Sequence, residues 1–245
     1  MVTGTAHSLA DMGPAGEAPA ALATAARGAG SPRLVLVHGF TQTGRSWDPV
    51  AADLAVDHLV VDAPGHGGSG AVRLGLTDGA RAIATAGGAG VYIGYSMGAR
   101  YVLRAALACP EAVHGAVLLG ANPGIEHAAE RAARQASDEA LAARLEAGGV
   151  VADRRRNTAE GLASSLRLAG TGAEPDAWAE VVRLAMPVLV LAGADDAKFA
   201  GIGERLATAI GANARFAVVP GAGHAAHLEQ PAAFLAIVRA WLAGS

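Results

Sequence analysis

Six short apolar runs punctuate the chain, and their spacing leaves few folds open. They are Leu34–Val37, His58–Asp62, Val91–Gly94, Ala116–Leu119, Pro187–Leu191 and Phe216–Val219. A strand with one face in water alternates apolar and polar residues, whereas a strand covered on both faces reads as a continuous apolar run, as these do. Helical stretches separate them: Trp47–Leu54, Met97–Ala108 (stopped by Pro110), Gly203–Ile210 and Pro231–Leu242. Doubly buried strands alternating with helices specify an α/β protein, a mostly parallel central sheet flanked by helices. Leu22–Arg27 adds a short edge strand ahead of a turn at Gly28–Pro32. Between Asn122 and Met186 the strand signal disappears, and the chain becomes helical, polar and arginine-rich. The expected organisation is a core of residues 1–121 and 187–245, with residues 122–186 inserted as a helical cap.

Composition narrows the class of protein. At 245 residues and 52% hydrophobic content, the chain can bury a sizeable core and is not a disordered segment. Its net charge is −3, so a nucleic-acid partner is not expected. The single cysteine, Cys109, suits a reducing compartment. No run of 18 charge-free apolar residues is present, and residues 1–16 lack the basic and apolar regions of a secretory signal. A cytoplasmic protein without membrane insertion is expected. Aromatics are scarce at 4%, alanines number 61, and 18 arginines stand against one lysine, Lys198.

The chemistry-bearing residues fall at the carboxyl ends of the runs, where open α/β sheets place their sites. Gly94-Tyr95-Ser96-Met97-Gly98 has the form G-x-S-x-G and joins a strand to a helix. In that context it is a sharp turn that lifts a serine hydroxyl above the sheet edge. A hydroxyl needs a base to take its proton, and the base should follow an acid later in the chain. His224 stands just beyond the last run, and Asp195 and Asp196 just beyond the one before it. His227, on the following helix, reads as a surface or packing residue. His38-Gly39-Phe40 follows the first run, and the backbone N–H groups of Phe40 and Met97 are the candidate oxyanion donors. No metal-ligand cluster is expected.

Taken in order, H-G-x at 38–40, D-x-P-G-H-G-x-S at 62–69, G-x-S-x-G at 94–98, G-x-x-D at 193–196 and G-H at 223–224 resemble the α/β-hydrolase family from Leu34 to Trp241. A narrower resemblance rests on 38–44, Gly94–Arg100 and 193–199, and on the cap segments 130–135, 155–167 and 170–172 with Trp178. These look like the family of synthases that make 2-succinyl-6-hydroxy-2,4-cyclohexadiene-1-carboxylate in menaquinone biosynthesis. The resemblance implies Asp196 rather than Asp195 as the acid. It also implies a cofactor-free elimination of pyruvate from a substrate bearing several carboxylates, with Ser96 and His224 moving a proton. Arginine offers carboxylates a permanently charged fork. Arg100, Arg134 and one of Arg154, Arg155 or Arg156, with Arg155 preferred, are the implied substrate contacts, together with Tyr95 and Trp178. A solvated helix face is the competing reading for the 154–156 run, a surface ion pair for Arg134, and packing for Tyr95. The chain departs from the family between Leu145 and Asp153, where a longer aromatic-rich stretch is usual, and this implies a pocket more open to water. A carboxylesterase or carbon–carbon bond hydrolase of the same fold, acting through a Ser96 acyl-enzyme, is the alternative activity. A non-catalytic small-molecule receptor is the alternative class.

Overall fold

The computed structural model describes residues 21–28, 33–54, 56–148 and 156–244. Its elements, in chain order, are β1 (Thr24–Arg27), β2 (Leu34–Val37), α1 (Asp48–Leu54), β3 (His58–Val61), α2 (Leu76–Gly87), β4 (Gly90–Tyr95), α3 (Met97–Ala108), β5 (Val113–Leu119), α4 (Ala128–Glu146), α5 (Ala159–Ala169), β6 (Val188–Gly193), α6 (Ala197–Ile210), β7 (Ala214–Val219), α7 (Ala226–Glu229) and α8 (Pro231–Leu242). The strands form one sheet in the order β1-β3-β2-β4-β5-β6-β7. Every neighbouring pair is parallel except β1 with β3, which is antiparallel and places the expected edge strand at the sheet margin.

Side chains alternate across a strand, so each continuous apolar run feeds two cores. Val35 and Val37 of β2 join the layer containing α2, α3 and α6, while Leu34 and Leu36 join the layer containing α1 and α8. The chain order reverses at β2, which has β3 on one side and β4 on the other. The loops leaving β2 and β4 therefore flank a crevice at the carboxyl edge of the sheet, the place where this topology binds ligands. His38–Phe40 and Ser96 lie on those two loops.

Helix α2, which the sequence reading did not mark, buries Leu76 and Ile83 together with a run of small residues. Gly79 packs against the Tyr101 ring of α3, and Gly87 against the Tyr92 hydroxyl, each so closely that a Cβ would stand 2.7 and 2.5 Å from the neighbouring atom. Between β5 and β6, α4 and α5 pack on one another around a small core of Ala142, Leu145, Leu162, Ala163 and Leu166, and Phe40 packs against it. Among the described residues, no helix is long and apolar enough to cross a membrane.

Candidate active site

The chain turns from β4 into α3 at Ser96, whose φ of 52° and ψ of −109° lie outside the regions a side chain favours. The glycines two positions either side make this possible. A Cβ on Gly98 would stand 2.1 Å from the Val37 carbonyl oxygen, and one on Gly94 2.4 Å from that of Gly98. The Ser96 N–H donates to the Leu119 carbonyl at 2.8 Å, tying the turn to β5.

His224 reaches the serine from the loop after β7. Its Nε2 lies 3.0 Å from Ser96 Oγ, and its Nδ1 lies 2.7 Å from Asp196 Oδ2. The second oxygen of Asp196 accepts the Phe199 N–H at 3.2 Å and caps α6, so one carboxylate orients the imidazole and fixes its own helix. A carboxylate only accepts, so Nδ1 carries the ring proton and the Nε2 lone pair faces the serine. Asp195 is exposed and belongs to neither contact. The loop around His224 is held by Glu229, whose carboxylate accepts the N–H of Gly223 at 2.7 Å and of Ala225 at 2.9 Å. Sequence reading passed over Glu229; its signal is an acid five residues after the histidine, at the end of the short α7.

The candidate oxyanion donors lie at the same cleft. The N–H groups of Phe40 and Met97 have no acceptor among the described residues, and both residues line the cleft at Ser96. His38, wholly buried beneath, accepts the Ala63 N–H at Nε2 (3.0 Å). Its proton is therefore on Nδ1, which donates to the Gly39 carbonyl at 2.8 Å. That carbonyl belongs to the same peptide as the Phe40 N–H. Burial pushes His38 down to about 4, so it is neutral at ordinary pH. His66 and His227 are likewise pushed by burial to about 3. His227 proves to be a packing residue, its ring among those of Trp47, Tyr95 and Phe234.

A half-open cleft of about 130 Å³ lies above Ser96. Three cationic side chains line it: Arg100, Arg134 and Lys198. Arg134 also pairs through Nε with the buried Asp138 at 2.8 Å, so its ion-pair and cleft positions coexist. Arg100 is almost fully buried, and its fork is turned toward backbone. Nη1 donates to the Ala169 carbonyl at 2.7 Å and Nη2 to that of Gly170 at 3.1 Å. Arg100 therefore anchors the end of α5, which corrects the picture of a fork left wholly free for a carboxylate. Burial lowers it to about 10, and it stays charged at neutral pH. Lys198 stood out in the sequence only as the chain's one lysine; its exposed position at the first turn of α6 brings it to the cleft.

Two expected contacts fall elsewhere. Trp178 is not at the cleft: the Arg205 guanidinium stacks 3.9 Å over its ring, and Arg205 pairs through both nitrogens with Glu126 at 2.7 and 2.8 Å. The residue lies on the loop returning from α5, which brings it down onto α6 instead of over Ser96. Tyr95 does not line the cleft either. It points to the opposite face of the sheet from the helix α3 it precedes, packing against Gly39, His224 and His227. Arg154 and Arg155 lie outside the described residues, and Arg156 is exposed beside Thr41, Gln42 and Thr43. The 149–153 part of the segment that departs from the family also lies outside them. Among the described residues, no group of three or more His, Cys, Asp or Glu is placed to hold a metal ion.

The alpha/beta hydrolase family model matches residues 34–237. A curated 2-succinyl-6-hydroxy-2,4-cyclohexadiene-1-carboxylate synthase from Salmonella newport is 31% identical over 234 residues, covering 83% of this chain and 90% of that protein. Among solved structures, MenH from S. aureus superposes with a TM-score of 0.83 at 23% identity, over 90% of this chain and 98% of its own. A malate-bound thermophilic esterase from Thermogutta terrifontis superposes at 0.76 and 24% identity, over 91% and 93%. At these identities the two superpositions speak for the fold alone.

Proposed function

The chain belongs to the alpha/beta hydrolase family, and on that premise we propose that it is a cofactor-independent lyase of menaquinone biosynthesis. It eliminates pyruvate from 2-succinyl-5-enolpyruvyl-6-hydroxy-3-cyclohexene-1-carboxylate to give 2-succinyl-6-hydroxy-2,4-cyclohexadiene-1-carboxylate. The observation that carries the reading is a serine–histidine–aspartate relay opening onto a cleft walled by three cations. A polycarboxylate substrate needs such a wall; a neutral ester does not. Relatives at 31% identity are synthases of the same product, which supports this reading. In this reading residues 122–186 form the cap over the site, and the enzyme works in the cytoplasm.

His224 takes the Ser96 proton at Nε2, and the serine oxygen removes the proton next to the succinyl carbonyl. The N–H groups of Phe40 and Met97 hold the resulting enolate oxygen. The electron pair then shifts through the ring alkene, the carbon–oxygen bond to the enolpyruvyl group breaks, and the leaving enolpyruvate takes up the proton and tautomerises to pyruvate. No acyl-enzyme and no water enter the balance. Asp196 keeps His224 in the tautomer that accepts from serine and stabilises the imidazolium that forms.

The test is pyruvate release from the purified protein supplied with this intermediate, beside an ester panel. Release that vanishes in Ser96→Ala is expected. A burst of p-nitrophenol from a p-nitrophenyl ester, with no pyruvate released, would replace the lyase with a hydrolase working through a Ser96 acyl-enzyme.

A further inference from the structure

We infer that Asn157 is a positioning residue that couples docking of α5 to the geometry of the oxyanion donor at Phe40; the inference rests on the role proposed above for that N–H. Asn157 stands two residues before α5 and is buried, although it is a polar amide on a connecting segment. Its whole side chain is engaged. Nδ2 donates to the carbonyl of Thr41 at 2.7 Å and, more weakly, of Gln42 at 3.4 Å, while Oδ1 accepts the Gly67 N–H at 2.8 Å. One side chain thus joins three segments: the approach to α5, the loop after β2 and the loop after β3.

The loop it grips holds strain. Among the described residues, Thr41 and Ser96 are the two non-glycine residues with positive φ, Thr41 at 65°. A β-branched residue there costs on the order of 1–3 kcal/mol and persists only where its surroundings hold it. Ser96 is held by β5 and α3. The Thr41 carbonyl is held by Asn157, and Thr41 follows Phe40 directly. The peptide bearing the Phe40 N–H is pinned from the core side by His38, which donates to the Gly39 carbonyl. Gln42 closes the turn, its N–H donating to the Gly39 carbonyl and its Oε1 accepting the Gly39 N–H, both at 3.2 Å. Asn157 is the anchor on the α5 side. The fit of α5 there is close: a Cβ on Gly161 would stand 2.4 Å from the Gly65 carbonyl. The same helix and its C-terminal end supply Ser165, Leu166, Ala169 and Gly170 to the cleft wall. Seating α5 therefore builds the cleft wall and sets the oxyanion donor at the same time, and an undocked α5 leaves Thr41 free to relax and Phe40 to swing.

The experiment uses the full chain and a probe that depends on the serine and the oxyanion donors but not on the proposed substrate: the second-order rate of Ser96 labelling by a fluorophosphonate, whose phosphoryl oxygen enters the oxyanion site. Asn157→Asp keeps the volume and the acceptor for Gly67 but loses the donor to Thr41; Asn157→Ala loses all three contacts. Displacing a donor by about an ångström costs about a hundredfold, and removing one 10²–10³-fold. Labelling of the folded Asn157→Asp protein should fall about ten- to a hundredfold, with pyruvate release showing the same drop in kcat and KM within about threefold, as for a contact made only in the transition state. A folded Asn157→Asp protein labelled within twofold of the parent, whatever its melting temperature, overturns the inference and leaves a structural role. If Asn157→Ala does not fold, the aspartate variant alone decides. A parent that releases no pyruvate overturns the proposed function, whereas a parent that releases pyruvate and is labelled no faster than the Asn157→Asp protein overturns this inference alone.

Discussion

Replacing Asp196 by asparagine separates two tasks that one carboxylate performs. Oδ2 accepts the His224 Nδ1–H and Oδ1 accepts the Phe199 N–H that caps α6. An amide has one oxygen and cannot do both. With that oxygen on the cap, the amide N–H faces Nδ1, which must then accept. The ring proton moves to Nε2, and His224 loses the lone pair that takes the Ser96 proton. With the oxygen on His224, the helix loses its cap, at a cost of about 1 kcal/mol. That difference favours the inactive orientation roughly fivefold. In both orientations the imidazolium has also lost its counter-charge. The expected fall in kcat is about 10³–10⁴-fold, or roughly 4–5.5 kcal/mol of barrier. The melting temperature should barely change, because α6 stays capped. Asp196→Ala should lose the same activity and also about 2–4 °C, the equivalent of about 1 kcal/mol in a chain of this size. Pyruvate release at saturating substrate and thermal melts on the two variants give both numbers. Asp196→Asn retaining more than a tenth of parental kcat would refute the tautomer reasoning, and equal melting temperatures for the two variants would refute the cap.

Arg100→Ala leaves the buried Ala169 carbonyl without its donor, while that of Gly170 keeps the Ala173 N–H, and should destabilise the protein by about 1–3 kcal/mol in chemical denaturation. It should also lower activity on the polycarboxylate far more than on a neutral ester, and equal losses on both would remove Arg100 from substrate recognition. Trp178→Ala should lower the melting temperature while leaving KM within twofold, because its ring faces Arg205 and not the cleft; a tenfold rise in KM would contradict that placement. His38, His66 and His227 all have folded values pushed below the ordinary 6.5, to about 4, 3 and 3. The unfolded chain therefore binds more protons than the folded one below pH 6.5. Stability is fully present above that pH and is lost as pH falls toward 4, with each histidine adding up to about 1.4 kcal/mol per pH unit. Denaturation midpoints equal at pH 7.5 and 5 would contradict the buried neutral rings, and His227→Phe should shallow the slope.

The parallel sheet is legible from the continuous apolar runs, because a strand covered on both faces has no polar alternative to offer. The elbow is legible too: no residue but glycine fits beside the Val37 carbonyl, so Gly98 announces the turn before any fold is known. Helix α2 was passed over, although Leu76, Ala80, Ile83 and Ala84 recur at helical spacing on its buried face. Some of the alanine excess lets α2 lie against α3. Lys198 was visible but had no assigned direction until the first turn of α6 supplied one.

By itself the sequence determined which residues could carry chemistry and on which strand ends they stand, since backbone propensity, glycine sterics and the Ser…Asp…His order are local or ordinal properties. Only the tertiary structure decided where the long side chains go. Arg100 meets carbonyls 69 and 70 residues away, Asn157 meets one 116 residues away, and Trp178 turns to Arg205 rather than to the cleft. Such partners are fixed by packing and by the need to satisfy each buried donor and acceptor. That balance is struck only once α5 is seated against the loops that follow β2 and β3.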